Sequence, residues 1–207
     1  MKNIMFTVLF SCSSMLLFAQ NKNIRILPQT HQYNVLLEEP GNPLPGNPAL
    51  ILNFFAEKEG SYLFFLNEAK TKGISYLSDK PRDLYAGLYL EDHGGALEQI
   101  TFKDFAGPLS QPVYLLDYCL AADVDQNNSP EFYLTYFEES DGLDAKPLKV
   151  IVYNKKDKRF IKAKITAWIP FQPENQLKID KDDNFNKLPI SIQQKAEELA
   201  KKAISTI

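Results

Sequence analysis

The sequence predicts a mainly β fold, an antiparallel sheet or sandwich built from hairpins, with one amphipathic helix at the C-terminus. Apolar and aromatic runs of strand length recur along the chain and are separated by short polar or glycine-containing turns. A helical period is found instead in residues 191–203. A length of 207 residues fits one domain, which we place at residues 20–207, after a leader at residues 1–19.

The first nineteen residues have the order of a secretion signal. Lys2 is followed by an apolar stretch and then by the small residue Ala19. This segment is too short, and too quickly followed by polar residues 20–23, to predict a membrane anchor, and no later stretch is apolar enough to predict a transmembrane segment. We therefore expect an exported protein, periplasmic or secreted.

An alternative interpretation treats residues 9–12 as a lipoprotein cleavage box with a lipidated Cys12. The apolar segment before Cys12 is short, and residues 15–18 would leave an apolar start to the mature chain, so cleavage after Ala19 is favoured. Either way Cys119 has no intramolecular disulfide partner, and the fold depends on its hydrophobic core.

The charge pattern argues against nucleic acid as a partner. The chain has 23 basic and 26 acidic residues and a formal net charge of −3. Lysines are scattered among acids and form no basic stripe, whereas phosphate binding requires clustered positive charge. Glycans, cations and envelope proteins remain as possible partners.

Three hairpins are predicted from paired apolar runs. A strand at residues 33–37 and a proline-rich loop at residues 39–48 come before them. The hairpins pair residues 49–55 with 61–66, 83–90 with 96–102, and 148–153 with 159–168. In the second hairpin, Gly94 and Gly95 are expected to supply the positive φ angles of the turn.

The middle of the chain predicts the centre of the sheet. Residues 113–122 are continuously apolar apart from Asp117 and predict a single strand. Residues 131–137 carry apolar or aromatic side chains on both faces, which indicates a strand buried on two sides. Ser191 and Gln194 predict a capping box for the terminal helix. Its apolar stripe consists of Ile192, Ala196, Leu199, Ala200 and Ala203.

One loop has the spacing of a cation site. Oxygen-bearing side chains stand at its positions one, three, five and nine, and a backbone carbonyl is available at position seven. These residues are Asp123, Asp125, Asn127, Glu131 and, through its carbonyl, Ser129. Calcium takes about six to eight oxygen ligands, which alternate residues of a tight loop can provide. Asn128 stands where the chain must turn sharply, and asparagine tolerates the left-handed conformation.

The loop resembles the calcium loops between strands of integrin-type and other repeat β proteins, without their glycine and with Pro130 before the last acid. It differs from an EF-hand, because position twelve is Leu134 and no helical pattern flanks it. A calcium ion in this loop is expected to bind weakly, with a Kd of about 10⁻⁴ to 10⁻³ M as in extracellular modules, and to have a structural role. The alternative is a solvated turn whose Asp and Asn residues serve only turn formation.

Other candidate sites are weaker. Asp180, Asp182 and Asn184 repeat the alternating spacing without a closing acid. Trp168 is a candidate sugar platform if its ring is exposed. Cys119 lies in an apolar strand and is expected to be a buried, inert thiol. The sequence contains no GxSxG, HExxH or phosphate-binding glycine loop, so it predicts no catalytic residue.

Residues 114–204 resemble a family of small exported bacterial proteins described as surface polysaccharide biosynthesis proteins. The resemblance is carried by ADVDQNNSPEFYLTY, SDGLDAKPLKVIVYNKKDKRF and NFNKLPISIQQKAEELA, and it covers less than half of the chain. It implies an accessory domain of the cell envelope or extracellular space. Two alternatives remain open, a carbohydrate-binding module and a hydrolase that uses carboxylates such as Asp123, Asp125 and Glu131 as acid and base.

Overall fold

The computed structural model describes residues 24–27, 44–93, 95–172 and 176–207. The predicted signal with Cys12, the predicted strand at 33–37 and residues 39–43 of the predicted proline-rich loop lie outside these residues. In chain order the strands are β1 (Ile24–Ile26), β2 (Asn47–Ala56), β3 (Gly60–Lys70), β4 (Arg82–Asp92), β5 (Gly95–Asp104), β6 (Ser110–Tyr114), β7 (Leu120–Ala122), β8 (Glu131–Ser140), β9 (Lys146–Lys156), β10 (Arg159–Ile169) and β11 (Lys178–Lys181). Short 3-10 turns span Leu116–Tyr118 and Phe185–Lys187, and helix α1 spans Ile190–Ile204.

The strands form two antiparallel sheets, as the sequence predicts. The first sheet has the order β1-β2-β3-β4-β5. The second has the order β11-β10-β9-β8-β6, and β7 pairs with β8 beside β6. All three predicted hairpins are present as β2–β3, β4–β5 and β9–β10.

The main core lies between the two sheets. It includes Phe64 and Leu88 from the first sheet and Phe132, Leu134 and Tyr153 from the second. The opposite face of the second sheet packs against α1 and forms a further core, so this sheet is buried on both sides. The predicted two-sided burial of β8 is therefore confirmed.

Helix α1 covers the second sheet with the predicted apolar stripe. Ile192, Ala196, Leu199, Ala200 and Ala203 are all buried. The predicted capping box is wrong, because the N-cap is Pro189 and Ser191 lies inside the first turn. The backbone N–H groups of Ile192 and Gln193 bond to the Pro189 carbonyl, and no side chain caps the N-terminus of the helix.

The single strand predicted at residues 113–122 is also wrong. The chain leaves β8 after Tyr114, makes the 3-10 turn, and returns as β7. Hydrogen bonds to β8 hold this detour in place. Thr135 of β8 bonds through its hydroxyl to the Tyr118 carbonyl at 2.8 Å and through its N–H to the Cys119 sulfur at 3.3 Å.

Two turn assignments also differ from the predictions. Strand β2 begins at Asn47, inside the predicted loop, and its register shifts between Pro48 and Leu50. A proline is tolerated at the start of a strand and beside such an irregularity. In the β4–β5 turn the left-handed residue is His93, with φ 45°, whereas Gly95 already belongs to β5. Gly94 lies outside the described residues.

Candidate metal centre

The cation loop connects two paired strands. Ala122, the last residue of β7, is the cross-strand partner of Glu131, the first residue of β8. The loop at 123–130 therefore leaves the sheet and returns to it at the same place, and its first and last acids are brought together.

Three carboxylates converge in this loop. Asp123, Asp125 and Glu131 each offer an oxygen that lies within 4.8 Å of the others. Both oxygens of Asp123 accept backbone N–H groups, from Asn127 and Asn128, at 3.0 Å each. Asp125 Oδ1 accepts the Asn127 N–H at 3.3 Å. These bonds fix the direction of the two aspartates before any cation binds.

Two left-handed residues make the loop compact. Asn128 has φ 67°, in agreement with its predicted place at the sharp turn. Gln126 has φ 60°, which the sequence did not indicate because glutamine has no special tolerance for this conformation. Positive φ at a non-glycine residue costs free energy, so the surrounding hydrogen bonds must hold it in place.

Asn127 and Ser129 stabilise the loop from within. The Asn127 side chain donates to Asp125 Oδ2 at 3.0 Å and accepts the Ser129 N–H at 2.7 Å. An amide oxygen has two lone pairs, so Asn127 can accept this bond and still coordinate a cation. The roles of Asn127 and of the Ser129 carbonyl as ligands stay predictions.

Glu131 is the buried member of the group. Its side chain is 0% exposed, and Oε2 accepts the Val124 N–H at 2.9 Å. Within the described part of the chain, Oε1 is buried without a hydrogen-bond partner. Burial raises the pKa of Glu131 to about 8, opposed by the Val124 N–H and assisted by the charges of Asp125 and Asp123. A cation between these carboxylates would favour the ionised form.

Tyr133 lies two residues further along β8 and was not predicted to belong to the site. Its hydroxyl is also buried without a partner among the described residues. Burial, followed by the charges of Glu131 and Asp125, raises the pKa of Tyr133. The sequence could have identified Tyr133 by its spacing. It follows Glu131 by two residues, and residues i and i+2 of a strand point to the same face.

A small polar cavity borders the loop on the side of the first sheet. It holds about 50 Å³ and is lined by Asp123 and Asn128 of the loop and by residues 54–57 of the β2–β3 hairpin. Small-molecule sites usually enclose about 300–1,000 Å³. A cavity of this size can hold a few water molecules, and it is too small for a sugar ring.

Each of the three carboxylates has an oxygen within 4.8 Å of the others, so one cation between them could contact all three. A larger groove of about 300 Å³ lies between β11 and α1, but its one acid, Glu197, is ion-paired with Lys181 at 2.6 Å.

The weaker candidates have structural partners. Asp180 accepts the Trp168 indole N–H at 2.6 Å, and Asp182 accepts the Phe185 N–H at 2.7 Å. Asn184 donates to the Lys162 carbonyl at 3.0 Å. Trp168 is half-buried and tied to Asp180, so it is not an open sugar platform.

Cys119 is buried, as predicted, and burial raises the pKa of its thiol to about 12. A thiol with so high a pKa is a poor nucleophile near neutral pH.

No family model matches the chain, and no curated protein or solved structure is significantly similar to it. Among the described residues there is no helix long and apolar enough to cross a membrane.

Proposed function

We propose that the protein is an exported accessory domain of the cell envelope or extracellular space, and that calcium stabilises its β7–β8 loop. One observation carries the calcium assignment. Glu131 is fully buried, one of its oxygens has no partner in the described structure, and it faces Asp123 and Asp125 within 4.8 Å.

The energetic argument is that this arrangement is unfavourable without a counter-ion. Three carboxylates at such short range repel one another, and a buried carboxylate loses its hydration. A divalent cation supplies the missing charge and a partner for Glu131 Oε1. Oxygen ligands from carboxylates, an amide and a carbonyl suit calcium. A role in stability follows, because a ligand that binds only the folded state stabilises that state.

Export is supported by the sequence. Residues 1–19 have the order of a secretion signal, and extracellular calcium is abundant enough to occupy a site with a Kd of about 10⁻⁴ to 10⁻³ M.

The experiment is thermal unfolding of the chain from Gln20 onward, with a chelator and with millimolar calcium. We expect calcium to raise the Tm, and we expect Asp123→Ala and Asp125→Ala to remove that rise. Asp144→Ala is the control, because Asp144 is an exposed acid of another loop. A Tm that calcium leaves unchanged in the wild type would contradict the proposal.

Glycan binding is a second candidate, supported by exposed rings at one end of the sandwich. Tyr76 is 77% exposed and Phe105 is 52% exposed. Their loops adjoin, since the Tyr76 N–H bonds to the Pro108 carbonyl at 2.7 Å. Aromatic rings are suited to stacking on sugars. Binding on a glycan array that Tyr76→Ala and Phe105→Ala both remove would support this candidate, and an array without binding would count against it.

A further inference from the structure

We infer that the cation binds on the helix-facing side of β8, where the Tyr133 hydroxyl and Glu131 hold a water molecule of its coordination sphere. This inference rests on the proposed calcium loop. It adds a residue that the nine-residue spacing of the loop does not contain, and it gives the unpartnered oxygen of Glu131 a hydrogen-bond donor.

Glu131 and Tyr133 point to the same side of the second sheet. They are the first and third residues of β8, and alternate residues of a strand share a face. Tyr133 belongs to the core beneath α1, whereas Phe132 and Leu134 belong to the core between the two sheets. Both side chains are therefore directed toward α1 and away from the first sheet.

Both side chains end in a buried oxygen that lacks a partner. Glu131 and Tyr133 are each 0% exposed, and neither Glu131 Oε1 nor the Tyr133 hydroxyl has a hydrogen-bond partner among the described residues. The two atoms are therefore not bonded to each other. Burial raises the pKa of Tyr133, and the charges of Glu131 and Asp125 raise it further, so the hydroxyl lies close to these carboxylates.

Tyr153 provides a matched comparison in the other core. Its hydroxyl is also buried without a partner among the described residues, but it lies between the two sheets and burial alone raises its pKa. Of these two buried hydroxyls, the one of Tyr133 lies beside acidic groups. Tyr133 is therefore the one placed to contribute to a cation site.

A water molecule bound to the cation satisfies both unpartnered oxygens at once. One lone pair of the water binds the cation, the other accepts the Tyr133 O–H, and one hydrogen is donated to Glu131 Oε1. Calcium commonly keeps water ligands, and the residue at position nine of a calcium loop often binds through water. Glu131 stands at that position. Asp123 and Asp125, which have oxygens within 4.8 Å of each other, then bind the ion directly.

Terbium luminescence of the chain from Gln20 onward tests this inference, with terbium chloride and calcium chloride as the probes. A tyrosine ring transfers excitation energy to terbium efficiently only at short range, so emission excited through tyrosine reports a ring close to the ion. We expect such emission from the wild type, and an excess of calcium should displace it. Tyr133→Phe should lose most of this emission, whereas Tyr153→Phe, the matched control, should retain it.

Calcium affinity, measured by calorimetric titration, reports on the hydroxyl itself. Tyr133→Phe should raise the calcium Kd roughly 2–10-fold, as expected for the loss of one hydrogen bond to a bound water. Tyr153→Phe should leave the Kd unchanged. An unchanged Kd in Tyr133→Phe, or terbium emission that survives this substitution, would overturn the inference and leave the calcium loop intact. A wild type that binds neither cation would contradict both.

Discussion

Glu131 is the residue at which fold and site conflict most directly. A strand that is buried on both faces favours an apolar side chain at its first residue, and the chain places a carboxylate there with 0% exposure. One backbone N–H satisfies one of its oxygens. Leaving a buried acceptor unsatisfied costs about 1–3 kcal/mol, and more if the group is charged. Without a cation, Glu131 therefore lowers the stability of the folded protein.

Glu131→Gln should separate stability from cation binding. The amide can keep the Val124 bond through its oxygen and donate to Asp123 or Asp125 through its nitrogen, and the variant no longer pays for burying or protonating an acid at this position. In chelator we expect a higher Tm than in the wild type, by about 2–4 °C for each kcal/mol gained in a domain of this size. Calcium should no longer raise the Tm. A variant that is less stable than the wild type in chelator would show that the charge is not the unfavourable element.

The same residue predicts a pH dependence in the metal-free protein. The Glu131 pKa is raised from an ordinary value of 4.5 to about 8 in the folded state. Below pH 4.5 both states are protonated and the group has no effect. Between pH 4.5 and about 8 the unfolded state releases its proton first, so stability falls as pH rises, and it levels off above that range.

The measurement is the free energy of unfolding of the wild type and of Glu131→Gln at several pH values in chelator. Their difference cancels the other titrating groups. It should increase across this window in favour of the variant, and a difference that is constant with pH would contradict the raised pKa.

The interrupted β6–β7 edge is the element that the sequence predicted least well. Residues 113–122 are apolar, and their pattern predicts one strand, but pattern does not reveal that Thr135 and Cys119 bond across the interruption. The hairpins were predictable because each depends on residues close in sequence. β11 was not predicted, because its four residues depend on pairing with β10.

Thr135→Val tests how much the interruption depends on the threonine hydroxyl. Valine has nearly the same shape as threonine, but it has no hydroxyl to donate to the Tyr118 carbonyl. We expect a loss of about 1 kcal/mol in the free energy of unfolding, because the partly buried carbonyl loses its donor. Thr101→Val on exposed β5 is the control and should change stability by less than about 0.5 kcal/mol. Equal effects of the two substitutions would show that the bond contributes little.

At the scale of the whole molecule, contacts between the two sheets hold the β2–β3 turn beside the cation loop. Lys155 of β9 reaches the first sheet, where it bonds to the Tyr62 hydroxyl and to Glu59, each at 2.9 Å. Its ammonium also lies over the rings of Tyr62 and Phe160. This contact holds the β2–β3 hairpin against the second sheet, and the turn of that hairpin borders the cation loop.

Lys155→Met should loosen this connection. Methionine retains most of the stem and removes the charge, so Glu59 loses its cation and keeps the Tyr62 hydroxyl. We expect destabilisation by about 1–2 kcal/mol, as for hydrogen bonds to charged groups that are partly shielded from solvent. Denaturant unfolding is the measurement, and Lys156→Met, at the exposed neighbouring residue, is the control. Equal stability of the two variants would contradict the role of Lys155.

The limits of prediction differ between fold and site. The spacing of Asp123, Asp125 and Glu131 identified the carboxylates that converge, because all three belong to one short loop. It did not identify the small cavity beside the loop, because the β2–β3 turn that lines its other side belongs to the first sheet. Sequence periodicity specifies which face of a strand is buried and leaves open which distant strand covers it.

The burial of Cys119 has a practical consequence. From Gln20 onward it is the only cysteine in the sequence, and its sulfur bonds with both the N–H and the carbonyl of Thr135. A thiol reagent can reach it only when this part of the core opens, so the rate of labelling reports the opening rate or the opening equilibrium, depending on which step is slower. The chain from Gln20 onward thus contains its own probe of core opening, which can be read with and without calcium and needs no engineered label.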